Sequence, residues 1–235
     1  MKKAILKYFL EFFVIVIGIS MSFYVEKFNE NSNNENLKNQ SLKRILKNLE
    51  VDQKDYEYNL KATKKAIEST NWILKNQHNL FQFSRDTVGV HLNYATTIIT
   101  IFVDNQEEYR SLQNSGLIEL IENEEIVIRL QKKYLDHEFM KEVERFIIEK
   151  SRKLEPFVFS NIEFQSERRD EIGHPNNRVY VGNNKINREV IQMMFDKKMW
   201  QIYYLRQIQN RIQSDSALIQ IINEEIDPYD RIDRK

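Results

Sequence analysis

The sequence contains no cysteine, which excludes disulfides, thiol catalysis and thiolate-bound metal in a reducing or an oxidising compartment alike. Glycine and proline are scarce, 5 and 3 in 235 residues. That is too few for the turns of an all-β or a dinucleotide-binding α/β fold, whereas helices need little of either. No glycine-rich loop able to cradle a phosphate occurs, so nucleotide-driven chemistry has no support. An excess of one charge is also missing. Lys plus Arg number 35 and Asp plus Glu number 35, which leaves no basic field to hold nucleic acid by its phosphates. His78, His91, His137 and His174 are scattered, and none forms a His-x-x-x-His or His-Glu-x-x-His pair on one helix face.

What is present is enough apolar and aromatic surface for a folded core: 41% hydrophobic residues, with 14 Phe and 11 Tyr. The clearest segment runs from Ala4 to Val25, AILKYFLEFFVIVIGISMSFYV. As a helix it is about 33 Å long, against a hydrocarbon core of roughly 30 Å. A cleaved signal peptide is the main competitor, since Lys2 and Lys3 precede the apolar run and Ser20-Met21-Ser22 is a passable cleavage site. Glu11 inside the apolar run counts against cleavage and favours an anchor. Lys2, Lys3 and Lys7 precede the span, whereas Glu26 to Leu37 holds one Lys and three Glu. The positive-inside rule then puts the N-terminus in the cytoplasm and the rest outside it, in the periplasm of a bacterial inner membrane.

Three parts are expected: an anchor over 1–28, a polar juxtamembrane linker or frayed helical stalk over 29–36 (NENSNNEN), and a helical soluble domain over 37–235. Leu42, Leu46, Leu49, Gln53, Tyr56, Leu60, Thr63, Ile67, Thr70, Leu74, Gln77 and Phe81 alternate steps of four and three. Such a seam suits a coiled coil or, given its polar members, a long bundle helix. Thr96–Val103 is β-branched without a partner strand and reads as helix or loop. Asp104-Asn105-Gln106-Glu107 has capping-box spacing for a short helix to Asn114, and Gly116 suits the left-handed residue that ends it. A further helix spans about Asn123 to Leu154, with Pro156 as its stop. Residues 168–186 read as an exposed loop with room for a short hairpin. Asn187 caps a helix to about Phe195, and a last helix runs through Trp200, Tyr204 and Ile226 to an Asp227-Pro228 stop. The fold class expected is all-α: one transmembrane helix followed by an antiparallel bundle of long helices.

LKYFLEFFVIVIGISMSFYVEKFNE, followed by a charged helix and then EEYRSLQNSGLIELIENEEIVIRLQKKYLD, resembles an uncharacterised family of bacterial single-pass membrane proteins found mainly in Bacteroidota. The positions that carry the resemblance are Glu11 and Gly18 in the span, then Tyr109, Leu112, Ser115 and Gly116. Phe28-Asn29 stands where that family often has Trp-Asn. The resemblance implies an envelope location and brings no activity or ligand with it.

Glu11, Ile15, Gly18 and Ser22 are spaced by four, three and four, so they share one stripe of the apolar helix. A neighbouring helix can approach closely at Gly18 and Ser22 and hydrogen-bond Glu11. The plainer reading of Glu11 is a pair with Lys7, one turn away. Asp170, Glu171 and His174, with Glu167 upstream, could gather round a cation, but a charged loop forms such groups by chance and no metal is expected. Ser115-Gly116 lacks a nucleophile-elbow frame and reads as a helix cap. Phe157, Phe159 and Phe164 could line a pocket or pack against the bundle. The function expected is a non-enzymatic, envelope-anchored scaffold or sensor-like module without cofactor, a homo-oligomer in the lipid bilayer with room for an envelope protein partner. The alternative is a subunit of an ion- or proton-coupled assembly using Glu11. The charge asymmetry makes one direct prediction. Alkaline phosphatase fused after Lys235 is active in cells while a fluorescent protein there stays dark, and the reverse pattern overturns the orientation.

Overall fold

The computed structural model describes residues 2–165, 168–175 and 177–226. Glu167, Asn176 and the expected Asp227-Pro228 stop lie outside them. The chain is all-α overall. Its helices are α1 (Lys2–Asn76), α2 (Arg85–Thr97), α3 (Glu107–Asn114), α4 (Glu124–Asn161) and α5 (Arg188–Glu225). Between α4 and α5, strands β1 (Ile162–Phe164) and β2 (Arg178–Tyr180) pair antiparallel.

The 75 residues of α1 form one helix straight through 29–36. No glycine or proline stands between Ile19 and Asn76. A run of Asn and Glu costs only tenths of a kcal/mol per residue in a helix, so nothing there breaks the backbone ladder. This segment is therefore the stalk of the two options. Residues 8–30 of α1 are exposed, and burial begins at Lys38 and Asn39.

The expected seam of α1 is buried at Leu42, Leu46, Leu49, Tyr56, Thr63 and Thr70 and half-buried at Leu60, Ile67 and Leu74. Ala62, Ala66 and Ile73 are buried as well, giving the broader face that a 3.6-residue period presents to a core. Gln77 and Phe81 fall beyond the end of α1, and Phe81 is exposed. The chain itself covers this face. Leu42, Leu46 and Leu49 cluster with Tyr109, Leu130 and Ile222, and Tyr56 clusters with Phe102, Ile147 and Tyr204. Polar pairs between α1 and α5 fall in one order: Lys38 with Glu225, Gln53 with Ser216, Tyr56 with Asp215 and Asn71 with Lys198.

Several boundaries differ from those expected. Pro156 lies inside α4 instead of ending it. It stands within six residues of the C-terminus on the exposed side, where its fixed φ is helical and the carbonyl it leaves unpaired can reach water. Asn187 does cap α5 through Glu189 N, but α5 is one helix past Phe195, since residues 188–225 hold no glycine or proline. Asp104 does not cap α3. Asn105 Oδ1 accepts from Glu107 N at 3.2 Å instead, and Asp104 turns inward to a buried lysine. Gly116 has the expected positive φ, 73°. Residues 98–105 have no regular structure, and side chains satisfy part of their backbone: Phe102 N donates to Glu144 Oε1 at 2.8 Å and Val103 N to Asp55 Oδ2 at 3.2 Å.

Residues 178–180, expected in an exposed loop, are buried. They lie under α2, which approaches them at Gly89. A Cβ at Gly89 would stand 2.7 Å from the Arg178 carbonyl carbon and 2.8 Å from Tyr180 N, closer than real contacts allow. In an open helix Gly→Ala gains about 1 kcal/mol. Here Gly89→Ala is expected to destabilise by about 1–3 kcal/mol, the usual penalty of overpacking. Urea unfolding of the detergent-solubilised chain reads the sign, and a gain in stability would show that the close approach does not exist.

Candidate functional site

The stripe Glu11, Ile15, Gly18 and Ser22 lies wholly on exposed α1. Ser22 Oγ donates to the Gly18 carbonyl at 3.0 Å, Lys7 Nζ stands 3.8 Å from Glu11 Oε1, and a Cβ at Gly18 would meet nothing within 4 Å. The stripe is thus open to a neighbouring helix, and within the single chain Glu11 sits beside Lys7.

Asp170, Glu171 and His174 do not converge as ligands. Asp170 Oδ1 accepts from Ile172 N at 3.0 Å and His174 N at 2.9 Å, and Oδ2 accepts from Lys65 Nζ at 2.6 Å and Tyr94 OH at 2.5 Å. Burial pushes the Asp170 carboxyl upward, but those donors outweigh it and hold it at about 2. Glu171 pairs with Lys61 at 2.9 Å. Asp170 is therefore a clasp that fastens the 168–175 loop to α1 and α2. No group of three or more metal-binding side chains occurs among the described residues.

Two assemblies of buried polar groups were not anticipated. In the first, Lys133 of α4 reaches Asp52 of α1 and Asp215 of α5 at 2.8 Å each. Tyr56 OH donates to Asp215 at 3.1 Å, and Asp104 stands 4.0 Å from Lys133 and 3.6 Å from His137 Nδ1. Burial raises the Asp52 carboxyl to about 6 against the pull of Lys133, and lowers the His137 imidazole. A polar cavity of about 360 Å³ opens beside Arg211 and Asp215. Lys133 already meets Asp52, Asp104 and Asp215 within 4.0 Å, so we read this centre as structural, although Arg211 Nη1 and both Asp104 oxygens are buried without a hydrogen-bond partner.

The second assembly surrounds a cavity of about 330 Å³ between α2, α4 and the β1–β2 hairpin. Phe159 and Phe164 line it, so two of the three candidate aromatics reach a pocket; Phe157 packs on the core below. Thr96 and Thr97 also line it, but their hydroxyls donate back to Leu92 and Asn93 carbonyls at 2.6 and 2.7 Å. Asn93 Nδ2 donates to the Pro175 carbonyl at 3.1 Å. Two lining groups are left over. Ser151 Oγ and Arg178 Nε are buried without a hydrogen-bond partner. Arg178 is 3% exposed, its guanidinium lies 3.4 Å from the Phe164 ring centroid, and Nη1 donates to the Asn177 carbonyl at 3.2 Å. Burial and the like charge of Arg169 push its pKa down, and no carboxylate among the described residues offsets them.

Lys197 of α5, fully buried behind the same wall, is satisfied differently. Its Nζ donates to the carbonyls of Ala95 at 3.2 Å and Thr96 at 2.7 Å, in the last turn of α2 where carbonyls lack helical partners. Sequence reasoning passed over Arg178, Ser151, Lys197 and Lys133, although the last three continue the 4–3 spacing of buried positions on α4 and α5. Compared with known proteins, the chain matches no family model, and no curated protein or solved structure matches it.

Burial without a countercharge lowers the Lys197 ammonium from 10.5 to about 7. The unfolded chain therefore holds a proton there that the folded chain has released between those two values. Stability consequently rises with pH from about 7 toward 10.5 and is flat in this contribution below 7. Thermal melts of the detergent-solubilised chain between pH 7 and 9 should show that rise, and Lys197→Met should flatten it. An unchanged slope in the variant would show that the lysine titrates normally.

Proposed function

We propose that this chain is a non-enzymatic, membrane-anchored binding module of the bacterial inner membrane. Its apolar N-terminal helix holds a periplasmic helical domain that serves as a scaffold or sensor. The observation that carries this reading is the uninterrupted α1. Its first part is long and apolar enough to cross a membrane and is covered by none of the described residues, and its last part forms a wall of the core. One rigid element thus joins the apolar segment to the folded domain. We read α1, α4 and α5 as a bundle in which α5 runs antiparallel to α1 and α4, which is supported by the opposed order of its polar pairs with each. The resemblance to single-pass Bacteroidota proteins belongs to the same proposal.

A binding role is favoured over catalysis because the cavity offers Arg178 and Ser151 but no nucleophile paired with a base. Self-association is assigned to Glu11, Ile15, Gly18 and Ser22. Lipid gains nothing from a bare glycine, whereas a second helix can close on it. The ion-coupled alternative needs Glu11 in a protein interior, and the Lys7 pair in the single chain lends it no support. Chemical crosslinking in membranes tests the association: Gly18→Leu is expected to reduce crosslinked oligomers far more than Val16→Leu does. Equal crosslinking in the two variants would remove the stripe as the contact.

A further inference from the structure

We propose that the cavity between α2, α4 and the β1–β2 hairpin binds a small molecule with an apolar body and a single carboxylate, the carboxylate pairing with Arg178. This rests on the reading of the soluble domain as a binding module and names what it binds. The first observation is the unspent cation. A guanidinium out of water and without a countercharge is costly, and buried charges in folded proteins are ordinarily paired. Among the described residues Arg178 has one hydrogen bond, to Asn177, and no ion pair, and it lines the cavity. An anion entering there gains a charge-assisted bond that the folded chain does not already make.

The rest of the wall narrows the ligand. Ile99, Val158, Phe159, Phe164 and Pro175 give it an apolar character. Thr96 and Thr97 have turned their hydroxyls onto their own helix, so they add methyl groups. A volume of about 330 Å³ is at the small end of ligand pockets. The Arg178 fork is planar and matches a carboxylate in two parallel bonds. Ser151 Oγ, buried and unpartnered, can give one further hydrogen bond. A doubly charged phosphate fits less well. Among the described residues no second cation lines the cavity at neutral pH, since burial lowers the His174 imidazole further, and the exposed Glu155 carboxylate is also part of the wall. A cationic ligand would meet Arg178 directly.

The test uses the full chain in lipid nanodiscs, with 4-phenylbutyrate as probe and 4-phenylbutanol, which has the same body and no charge, as comparison; binding is read by calorimetry. The expected result is that the acid binds at least about tenfold tighter than the alcohol, the worth of one charge-assisted hydrogen bond. Arg178→Met should bring the two to equal affinity, with an unchanged far-ultraviolet circular dichroism spectrum. Should that variant fail to fold, Ile99→Trp, which fills the cavity from a half-buried position, must abolish binding of the acid. Equal binding of acid and alcohol to the wild type overturns the carboxylate assignment and leaves the binding module standing. Undiminished acid binding to a folded Arg178→Met, or to Ile99→Trp, also overturns it. If neither probe binds, the assignment and the binding-module reading fall together.

Discussion

The ion pairs of Lys133 with Asp52 and Asp215 fix how three long helices sit against one another. Apolar seams alone specify such an arrangement weakly, because sliding one helix by seven residues puts leucines opposite leucines again. A buried lysine removes that freedom. Its desolvation is tolerable only where carboxylates meet it, and here one comes from α1 and one from α5 at 2.8 Å. Asp52, Asp104 and Asp215 outnumber Lys133 and Arg211 by one. His137, lowered by burial, does not make up the difference, whereas burial lifts Asp52 toward its protonated form. Both shifts follow from excluding water from the cluster, which disfavours the charged form of each group.

The elements that were legible in the sequence are those governed by local chemistry: the apolar span, the Asn187 cap, Gly116 at positive φ, and the apolar members of the α1 face. What was missed lies in the same repeat. Buried positions on α4 run Leu130, Lys133, His137, Met140, Glu144, Ile147, Ser151, Leu154, and those on α5 run Met194, Lys197, Gln201, Tyr204, Ile208, Arg211, Asp215, Leu218. Each alternates three and four. A reading that follows apolar residues alone loses the register wherever a charge occupies a core position. The chemistry of the domain is concentrated at those positions, and the signal was the unbroken spacing. The hairpin was illegible for a different reason: the three residues of β2 are held by α2, distant in sequence, and the close approach depends on a single glycine at 89.

Two buried cations at one end of the domain show why the Arg178 cavity stands apart from the other polar interiors. Lys197 meets no carboxylate among the described residues, yet it fits the end of α2, where helix geometry leaves carbonyl oxygens unpaired. Its cost is offset by the fold. Arg178 sits at a strand with no such helix end to meet, and the face of Phe164 satisfies its π surface but not its N–H groups. The same solvent exclusion is answered from within the chain in one case and left open in the other.

The cavity is joined to α1 by covalent and ionic steps that can be followed residue by residue. His174 and Pro175 form part of its wall, and the turn that carries them is closed on Asp170 by the backbone N–H groups of Ile172 and His174. The other oxygen of that carboxylate is held by Lys65, on α1 itself. The wall is therefore tied to α1 through a carboxylate held at about 2, which stays ionised, and so stays clasped, across the physiological pH range. From Lys65 the path to the apolar segment is a single helix without a glycine or proline until Gly18. The helix has 75 residues, roughly 110 Å at 1.5 Å per residue, and over that stretch it carries neither of the two residues that most often kink a helix. Gly18 stands in the stripe assigned to association, so the first position at which the helix can yield is also the one where a second copy would make contact.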